Sequence, residues 1–156
     1  MTARDTALAD LRTQVGQDIA PSRWITVTQG MIDRFADVTA DDQFIHIDPA
    51  RAAATPLGGT VAHGFLTLSL ASRFDYDCFE DLPGQAMSIN YGFNRLRFLA
   101  PVRPGDRIRG HFTLIDVAPR GDDGLMRSVD LRIEIEGGDK PALAAVWLAL
   151  ILFETP

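Results

Sequence analysis

The sequence has one cysteine, Cys78, among 156 residues. A single cysteine excludes an intrachain disulfide, and this favours a reducing compartment. Basic residues are also few, because 15 lysines and arginines against 21 acidic residues give a net charge of −6. That balance argues against nucleic acid as the main partner. An anionic ligand would therefore need a local basic patch.

Long apolar runs and targeting signals are missing as well. The longest apolar run covers residues 142–153, far short of the about 20 residues that a membrane-spanning helix needs. The N-terminus has no basic segment followed by an apolar one, so no signal peptide is visible. We expect a cytoplasmic protein without a membrane partner. Its length suggests a single domain over residues 1–156, in which residues 1–21 form an N-terminal helix and extension.

Helical patterns occupy the first half of the chain. Apolar residues at helical spacing predict a short amphipathic helix within residues 4–16. Thr28 is typical of an N-cap and predicts a helix over residues 29–38. Residues 60–74 are apolar nearly all round, which predicts one long buried helix.

Strand patterns occupy the second half. Apolar and polar residues alternate over residues 87–93, 107–118 and 125–135, and the apolar run 142–153 reads as a buried last strand. A slip in the apolar phase predicts a bulge near Asn94. Helices followed by an antiparallel meander indicate the α+β class, with the sheet wrapped around the long helix.

The segment between the second and third helical patterns, TADDQFIHIDP over residues 39–49, holds three acids and a histidine among a few apolar residues. We interpret it as a partly buried loop, in which Asp42 or Asp48 can simply cap a helix. Asp48 would cap a second short helix that starts at Pro49 and runs through residues 51–54. His46 can be a core residue bonded to a carbonyl. Alternatively, Asp41 and His46 form an acid–base pair around one water, because imidazole both takes and gives a proton near neutrality. Spacing alone leaves these alternatives open.

A metal site is a further hypothesis for the same region. Asp41, His46, Asp48 and His63 could be assembled into one. Metal sites need three or four ligands at suitable spacing, and no paired histidine or cysteine motif supports one. We therefore predict no bound metal, and we assign His63 no role.

Gly64, at the start of the apolar helix, is a second candidate for chemistry. The first amides of a helix lack intrahelical partners and lie at the positive end of its dipole, so they can stabilise an oxyanion. Gly64 could equally serve helix–sheet packing, and the two interpretations are evenly matched.

A group of arginines stands out on this acidic chain. It is either a solvated strand face or a site for phosphates. Its members are Arg95, Arg97, Arg103, Arg107 and Arg109.

Three segments resemble a known family: DDQFIHIDPARAA, GGTVAHGFLTLSL and NYGFNRLRFLAPVRPGDRI. They are similar to the MaoC-like hot-dog dehydratases, in the branch of nodulation-protein-N-like proteins and (R)-specific enoyl-CoA hydratases. The resemblance covers roughly residues 22–153. In the family motif Gly-Asp-x-Asn-Pro-aliphatic-His, Asp41 matches the Asp and His46 the His. The Gly, Asn and Pro of the motif are replaced by Ala40, Gln43 and Phe44.

The resemblance implies an α+β hot-dog fold, with an antiparallel sheet around a long central helix, short helices in an N-terminal overhang, and a homodimer. It implies reversible syn addition of water to trans-2-enoyl thioesters, giving (R)-3-hydroxyacyl thioesters. No metal or redox cofactor is implied, since coenzyme A is part of the substrate. Asp41 and His46 would share the water, and Gly64 would hold the carbonyl oxygen.

The resemblance also implies lesser roles. Ser72 would orient the Asp41 loop or touch the thioester, Phe65 would contact the substrate beside Gly64, and Arg95 and Arg97 would meet coenzyme A phosphates. Two alternatives stay open: a dehydratase of acyl-carrier-protein thioesters, and a non-catalytic module that binds acyl thioesters. Thioester hydrolysis is disfavoured, because the middle of the central helix offers only serines and a threonine.

Overall fold

The computed structural model describes residues 2–154, so Met1, Thr155 and Pro156 of the predicted domain lie outside it. The chain begins with helix α1, Ala3–Gln14, which confirms the predicted N-terminal helix. Thr2 and Asp5 form a reciprocal capping box at its start. Ala7 and Leu11 on its inner face join the hydrophobic core.

Three helices follow, and the middle one was not predicted. Helix α2 spans Gln29–Thr39, and the Thr28 side chain accepts from the Met31 amide at 3.2 Å, which confirms the predicted cap. Helix α3, Phe44–Ile47, is a single turn inside the segment that we interpret as a loop. Helix α4 is Pro49–Ala53, and Asp48 caps it by accepting from the Arg51 amide.

The central helix differs from its prediction in extent and burial. It consists of α5, Gly64–Ser69, and α6, Ala71–Cys78, so it begins four residues later than the predicted range, ends four later, and is interrupted at Leu70. Leu66, Thr67, Ala71 and Phe74 are buried. Its other face is open, with Phe65 64% and Tyr76 77% exposed. Full burial is therefore wrong for this chain taken alone, because the sheet covers only one face of the helix.

One antiparallel sheet holds all the strands of residues 2–154, in the order β1-β3-β4-β5-β2. Inward-facing residues of its central strands pack against the buried face of the central helix in one core. This is the α+β architecture that the sequence predicts. The strands are β1 Ile25–Thr26, β2 Gln85–Phe98, β3 Arg107–Arg120, β4 Gly124–Ile135 and β5 Leu143–Phe153.

The N-terminal extension lies along the outer edge of β3. The amide of Gly16 donates to the carbonyl of Leu114, and that of Ile19 donates to the carbonyl of Phe112. The amide of Ser22 donates to the carbonyl of Gly110. These bonds continue the pairing that β1 makes at the start of β3, so this edge of the sheet is covered.

The opposite edge strand, β2, is mostly exposed along its length. Its register shifts between Asn94 and Arg97, which confirms the predicted bulge. Within that bulge Arg95 adopts a left-handed φ of 56°, a conformation that non-glycine residues rarely occupy. Met87, Ile89 and Tyr91 are each about half exposed, so the predicted strand presents its apolar residues to the surface.

One charged pair lies in the core, and no sequence pattern indicated it. Arg127 of β4 donates to Asp75 of α6 and lies over the ring of Phe79. Burial raises the pKa of Asp75 above its usual range, and the guanidinium of Arg127 opposes that shift. Each charge offsets much of the desolvation cost of the other, which ties the central helix to the sheet.

Candidate active site

His46 lies on α3 and is buried, with 8% of its surface exposed. Its Nδ1 lies 2.6 Å from the carbonyl oxygen of Val61. A carbonyl can only accept, so Nδ1 must carry the proton, and Nε2 keeps a free lone pair in the neutral ring. Gln29 supports this arrangement from α2, since it donates to the His46 carbonyl and accepts from the Thr60 hydroxyl.

His63 lies against His46, although no role is predicted for it from the sequence. The two rings stack with centroids 3.8 Å apart and planes inclined by 25°. The Nε2 of His63 donates to the main-chain carbonyl of Asp41 at 2.9 Å. Phe35 of α2 packs on His63 from a centroid distance of 5.0 Å. His63 is 2% exposed, and its Nδ1 is buried and has no hydrogen-bond partner within residues 2–154.

Asp41 completes the cluster. One of its carboxylate oxygens, one ring nitrogen of His46 and one of His63 all lie within 4.8 Å of one another. Asp41 itself is exposed, so the cluster reaches from solvent into the core. Asp42 is exposed too. Of the two predicted caps, Asp48 is the one that caps a helix, by accepting from the Arg51 amide.

The geometry of the cluster does not suit a metal ion. A ring nitrogen binds zinc in the plane of its ring at about 2 Å. The rings of His46 and His63 are stacked, with planes inclined by only 25°. The two ring planes therefore intersect farther from the nitrogens than the length of a zinc–nitrogen bond. One nitrogen of each ring is also engaged with a carbonyl. The lone pairs therefore do not converge on one point.

Ala40, which replaces the family glycine, ends α2 in the left-handed conformation, with φ 57° and ψ 26°. The left-handed helical region costs a non-glycine residue about 1–2 kcal/mol. The loop thus keeps the backbone turn that a glycine would favour, and it carries the strain of an alanine there.

We expect Ala40→Gly to raise the free energy of unfolding by up to about 1 kcal/mol. Glycine removes the strain of the left-handed conformation, about 1–2 kcal/mol. It also raises the conformational entropy of the unfolded chain, which lowers the free energy of unfolding by about 0.4–1 kcal/mol. Urea unfolding of the two proteins measures the difference. Ala36→Gly, in the interior of α2, is the matched control and should destabilise. A less stable Ala40→Gly protein would contradict the prediction.

Gly64 follows His63 directly and is the first residue of α5. His63 provides no side-chain cap there, so the first amides of the helix receive no side-chain acceptor. A Cβ on Gly64 would lie 2.9 Å from a ring carbon of Phe98. Close packing and a carbonyl-binding amide are thus compatible at this residue, since the ring lies on the side of the missing Cβ. Phe65 packs edge to face on Phe98, with ring centroids 5.7 Å apart.

A cavity of about 240 Å³ adjoins Gly64. Small and apolar residues line most of it, together with the partly exposed ring of Phe98 and the buried Thr67. An apolar lining of this kind suits an acyl group.

No described hydrogen bond or salt bridge joins the other predicted polar site residues to this cluster. Ser72 accepts a 3.3 Å hydrogen bond from Asn90 of β2, and no described hydrogen bond joins it to Asp41. Arg95 and Arg97 are exposed, and within residues 2–154 neither forms a salt bridge. By contrast, Arg107 and Arg109 pair with glutamates of the sheet and its following turn.

Comparison with known proteins assigns the chain to a family. The MaoC like domain matches residues 10–130. The chain belongs to the MaoC-like dehydratase family. Nodulation protein N of Rhizobium meliloti is 49% identical over 148 residues, covering 94% of this chain and 92% of that protein. The 3-hydroxyacyl-thioester dehydratase Z of Mycobacterium tuberculosis is 42% identical over 139 residues, covering 89% and 91%.

A solved structure gives the same result for the fold. The (R)-hydratase from A. caviae matches this MaoC-like domain with a TM-score of 0.68 and 30% identity, covering 86% of this chain and 94% of that one. The predicted hot-dog fold is therefore confirmed. Membership of a family of hydratases and dehydratases supports a hydro-lyase kind of activity. Within residues 2–154, no helix has both the length and the apolar character to cross a bilayer.

Sequence reasoning missed three contacts in the MaoC-like domain. These are the stacking of His63 on His46, the bridge from Gln29 to the His46 carbonyl, and the ring of Phe98 against Gly64. A histidine directly before the helix-start glycine was the available signal for His63. Gln29 and Phe98 carry no local signal, because their contacts join distant parts of the chain.

Proposed function

We propose that the protein hydrates trans-2-enoyl-CoA thioesters reversibly to (R)-3-hydroxyacyl-CoA thioesters. The observation that carries the proposal is the Asp41–His46 cluster, in which a free imidazole nitrogen and a carboxylate lie together at the start of the central helix. Relatives described as a 3-hydroxyacyl-thioester dehydratase and an (R)-hydratase support the reaction class.

In the proposed mechanism, one water lies between the carboxylate of Asp41 and the Nε2 of His46. The pair removes a proton from this water as its oxygen bonds to C3 of the substrate. The pair then returns a proton to C2 on the same face, which completes a syn addition. The bond from Nδ1 to Val61 keeps Nε2 available as the acceptor. We assign the proton transfers to the pair jointly, because both groups would contact the same water.

The proposed site for the thioester carbonyl is the amide of Gly64. Conjugation makes C3 electrophilic only if charge on the carbonyl oxygen is stabilised, and an uncapped helix-start amide can do this. The acyl chain would enter the adjoining apolar cavity, beside the ring of Phe98. Coenzyme A enters only as part of the substrate, and the proton transfers use protein side chains.

Arg95 and Arg97 are the proposed contacts for coenzyme A phosphates. Arg97 directly precedes Phe98, whose ring lies against Gly64. Arg95 lies three residues before Phe98 on the same strand, β2. Two exposed guanidinium groups without salt bridges near the site suit a phosphate ligand.

We expect Arg95→Asn to raise KM for crotonyl-CoA about fivefold with kcat unchanged, because an exposed charge pair contributes about 1 kcal/mol. Asparagine tolerates the left-handed conformation of Arg95, so the fold should not suffer. Steady-state kinetics measures the effect. The N-acetylcysteamine thioester, which lacks the phosphates, should show no change. An unaltered KM for crotonyl-CoA in both Arg95→Asn and Arg97→Gln would refute the assignment.

We also propose that two copies pair through β2 as a homodimer. Its edge is open and its exposed apolar residues, such as Ile89 and Tyr91, favour association. Light scattering should then give twice the chain mass of 17.1 kDa. Ile89→Lys should shift the measured mass towards that of a single chain. Val38→Lys, at an exposed position of α2, should leave the mass unchanged. A stable monomer of the natural sequence would rule the dimer out.

The direct test mixes the protein with crotonyl-CoA and a longer enoyl-CoA and follows loss of the conjugated-thioester absorbance. Chiral analysis of the product should give the (R)-alcohol. The same enoyl group on acyl-carrier protein tests the alternative of a carrier-protein dehydratase. Faster turnover on the carrier protein would select that alternative. Binding without turnover on either carrier would instead identify a non-catalytic acyl-thioester module.

A further inference from the structure

His63 contacts both members of the proposed catalytic pair. Its ring stacks on His46, and its Nε2 donates to the main chain of Asp41. It is also joined covalently to Gly64, whose amide is the proposed carbonyl donor. One residue therefore connects the two groups that would hold the water with the group that would hold the substrate.

The surroundings of His63 leave its ring little freedom. Phe35 packs on the ring beside the stacked His46, and 2% of the residue is exposed. The main chain is fixed as well, because the Val61 amide donates to the Ile45 carbonyl and the Ala62 amide donates to the Val102 carbonyl. The stacked ring in turn prevents His46 from rotating about its bond to Val61.

The hydrogen bonding of the His63 ring differs between its two nitrogens. The Asp41 carbonyl can only accept, so Nε2 carries the proton and Nδ1 holds a lone pair in the neutral ring. That lone pair is buried and has no partner among the described residues. A buried acceptor left unpaired costs stability. A phenyl ring would fill the same place without this cost, so core packing alone does not account for a histidine here.

We propose that His63 is a positioning residue, which aligns His46 and Asp41 with the Gly64 amide for proton transfer. The inference rests on the proposed hydration reaction for its kinetic consequence. Proton transfer requires the water, the base and C3 to be aligned together, and a displacement of about 1 Å can lower the rate about 100-fold. The Nε2 of His63 donates to a main-chain carbonyl, so we assign the ring a positioning role and no proton transfer.

Three variants separate the two contacts of His63. His63→Phe keeps an aromatic ring on His46 and loses the donor to Asp41. His63→Gln keeps an amide donor for Asp41 and loses the stacked ring, and His63→Leu loses both. We expect kcat for crotonyl-CoA to fall about 100-fold in His63→Leu and about tenfold in each of the other two, with KM within about twofold. His111→Gln, on the exposed outer face of the sheet, is the control for loss of a histidine.

Ring-nitrogen NMR provides a readout that does not depend on turnover. The chain has only three histidines, so their signals can be assigned by substitution. In the natural protein the Nδ1–H of His46 should be protected from exchange, and in His63→Leu it should exchange faster. His63→Phe should preserve this protection, whereas His111→Gln should leave it unchanged.

These measurements distinguish failure of this inference from failure of the proposed function. Unaltered kcat and unaltered His46 exchange in His63→Leu would overturn the positioning role. The folded fraction of His63→Phe and His63→Gln is measured by unfolding. If kcat in these variants falls only in proportion to the loss of folded protein, the positioning role is overturned too. A protein without hydratase activity, whose His46 signal still responds to His63→Leu, would refute the proposed function and retain the link between the two rings.

Discussion

Replacing His46 by alanine is expected to lower kcat for enoyl-CoA hydration by about 10²–10⁴-fold, the usual contribution of a positioned acid–base group. The Nε2 of His46 carries a lone pair that would accept from the water, since its Nδ1 donates to Val61. Without the imidazole, Asp41 alone would remain of the pair that holds the water. Asp41→Asn should lower kcat over the same range, because an amide keeps the shape of the carboxylate and loses its charge.

Asp42→Asn is the matched control for this result. Asp42 adjoins Asp41 in the chain and is exposed, so its loss should leave kcat within about twofold, as is usual for a surface substitution. Hydration is followed by absorbance and folding by urea unfolding. Full activity in either the His46→Ala or the Asp41→Asn protein would refute the choice of residues, even with hydration established for the natural sequence.

Replacing Gly64 by proline should lower kcat about 10²–10³-fold, because proline lacks the N–H that would donate to the thioester oxygen. The backbone accommodates this change. Gly64 is the first residue of α5, where proline suits the first helical turn. His63 before it has φ −58° and ψ 136°, the extended conformation that precedes proline.

Gly64→Ala separates the lost donor from crowding. Alanine and proline both add a Cβ against Phe98, and that ring is 46% exposed and can shift outwards. Only alanine retains the amide proton. We therefore expect Gly64→Ala to keep most of the activity that Gly64→Pro loses. Equal losses in the two variants would indicate packing as the whole function of the glycine.

Local patterns made much of the fold predictable. The caps at Thr28 and Asp48 and the bulge near Asn94 each depend on a few neighbouring residues, and the structure confirms all three. The burial of the central helix was predicted less well. Composition alone cannot show which face a sheet leaves uncovered, and Phe65 and Tyr76 lie on that face.

The candidate site was predictable only through the family motif. Spacing left Asp41 and His46 open to several interpretations, and matching them to the motif selected the acid–base pair. The structure brings those two together and adds His63, whose part depends on a stacking contact between segments that are distant in the chain. Contacts of that kind have no periodic signal. For Ser72 the family resemblance implied a contact with the Asp41 loop or the thioester, whereas its described hydrogen-bond partner is Asn90.

The cover that the N-terminal extension places on β3 has a consequence for solubility. A sheet with two free edges can add further copies of itself without end and grow into a fibre. Here the segment from Gly16 to Ser22 occupies one edge, and Pro119 interrupts hydrogen bonding further along β3. In the proposed dimer, pairing through β2 would use the free edge of both chains, so growth would stop at two. The extension thereby protects the protein against fibrous aggregation.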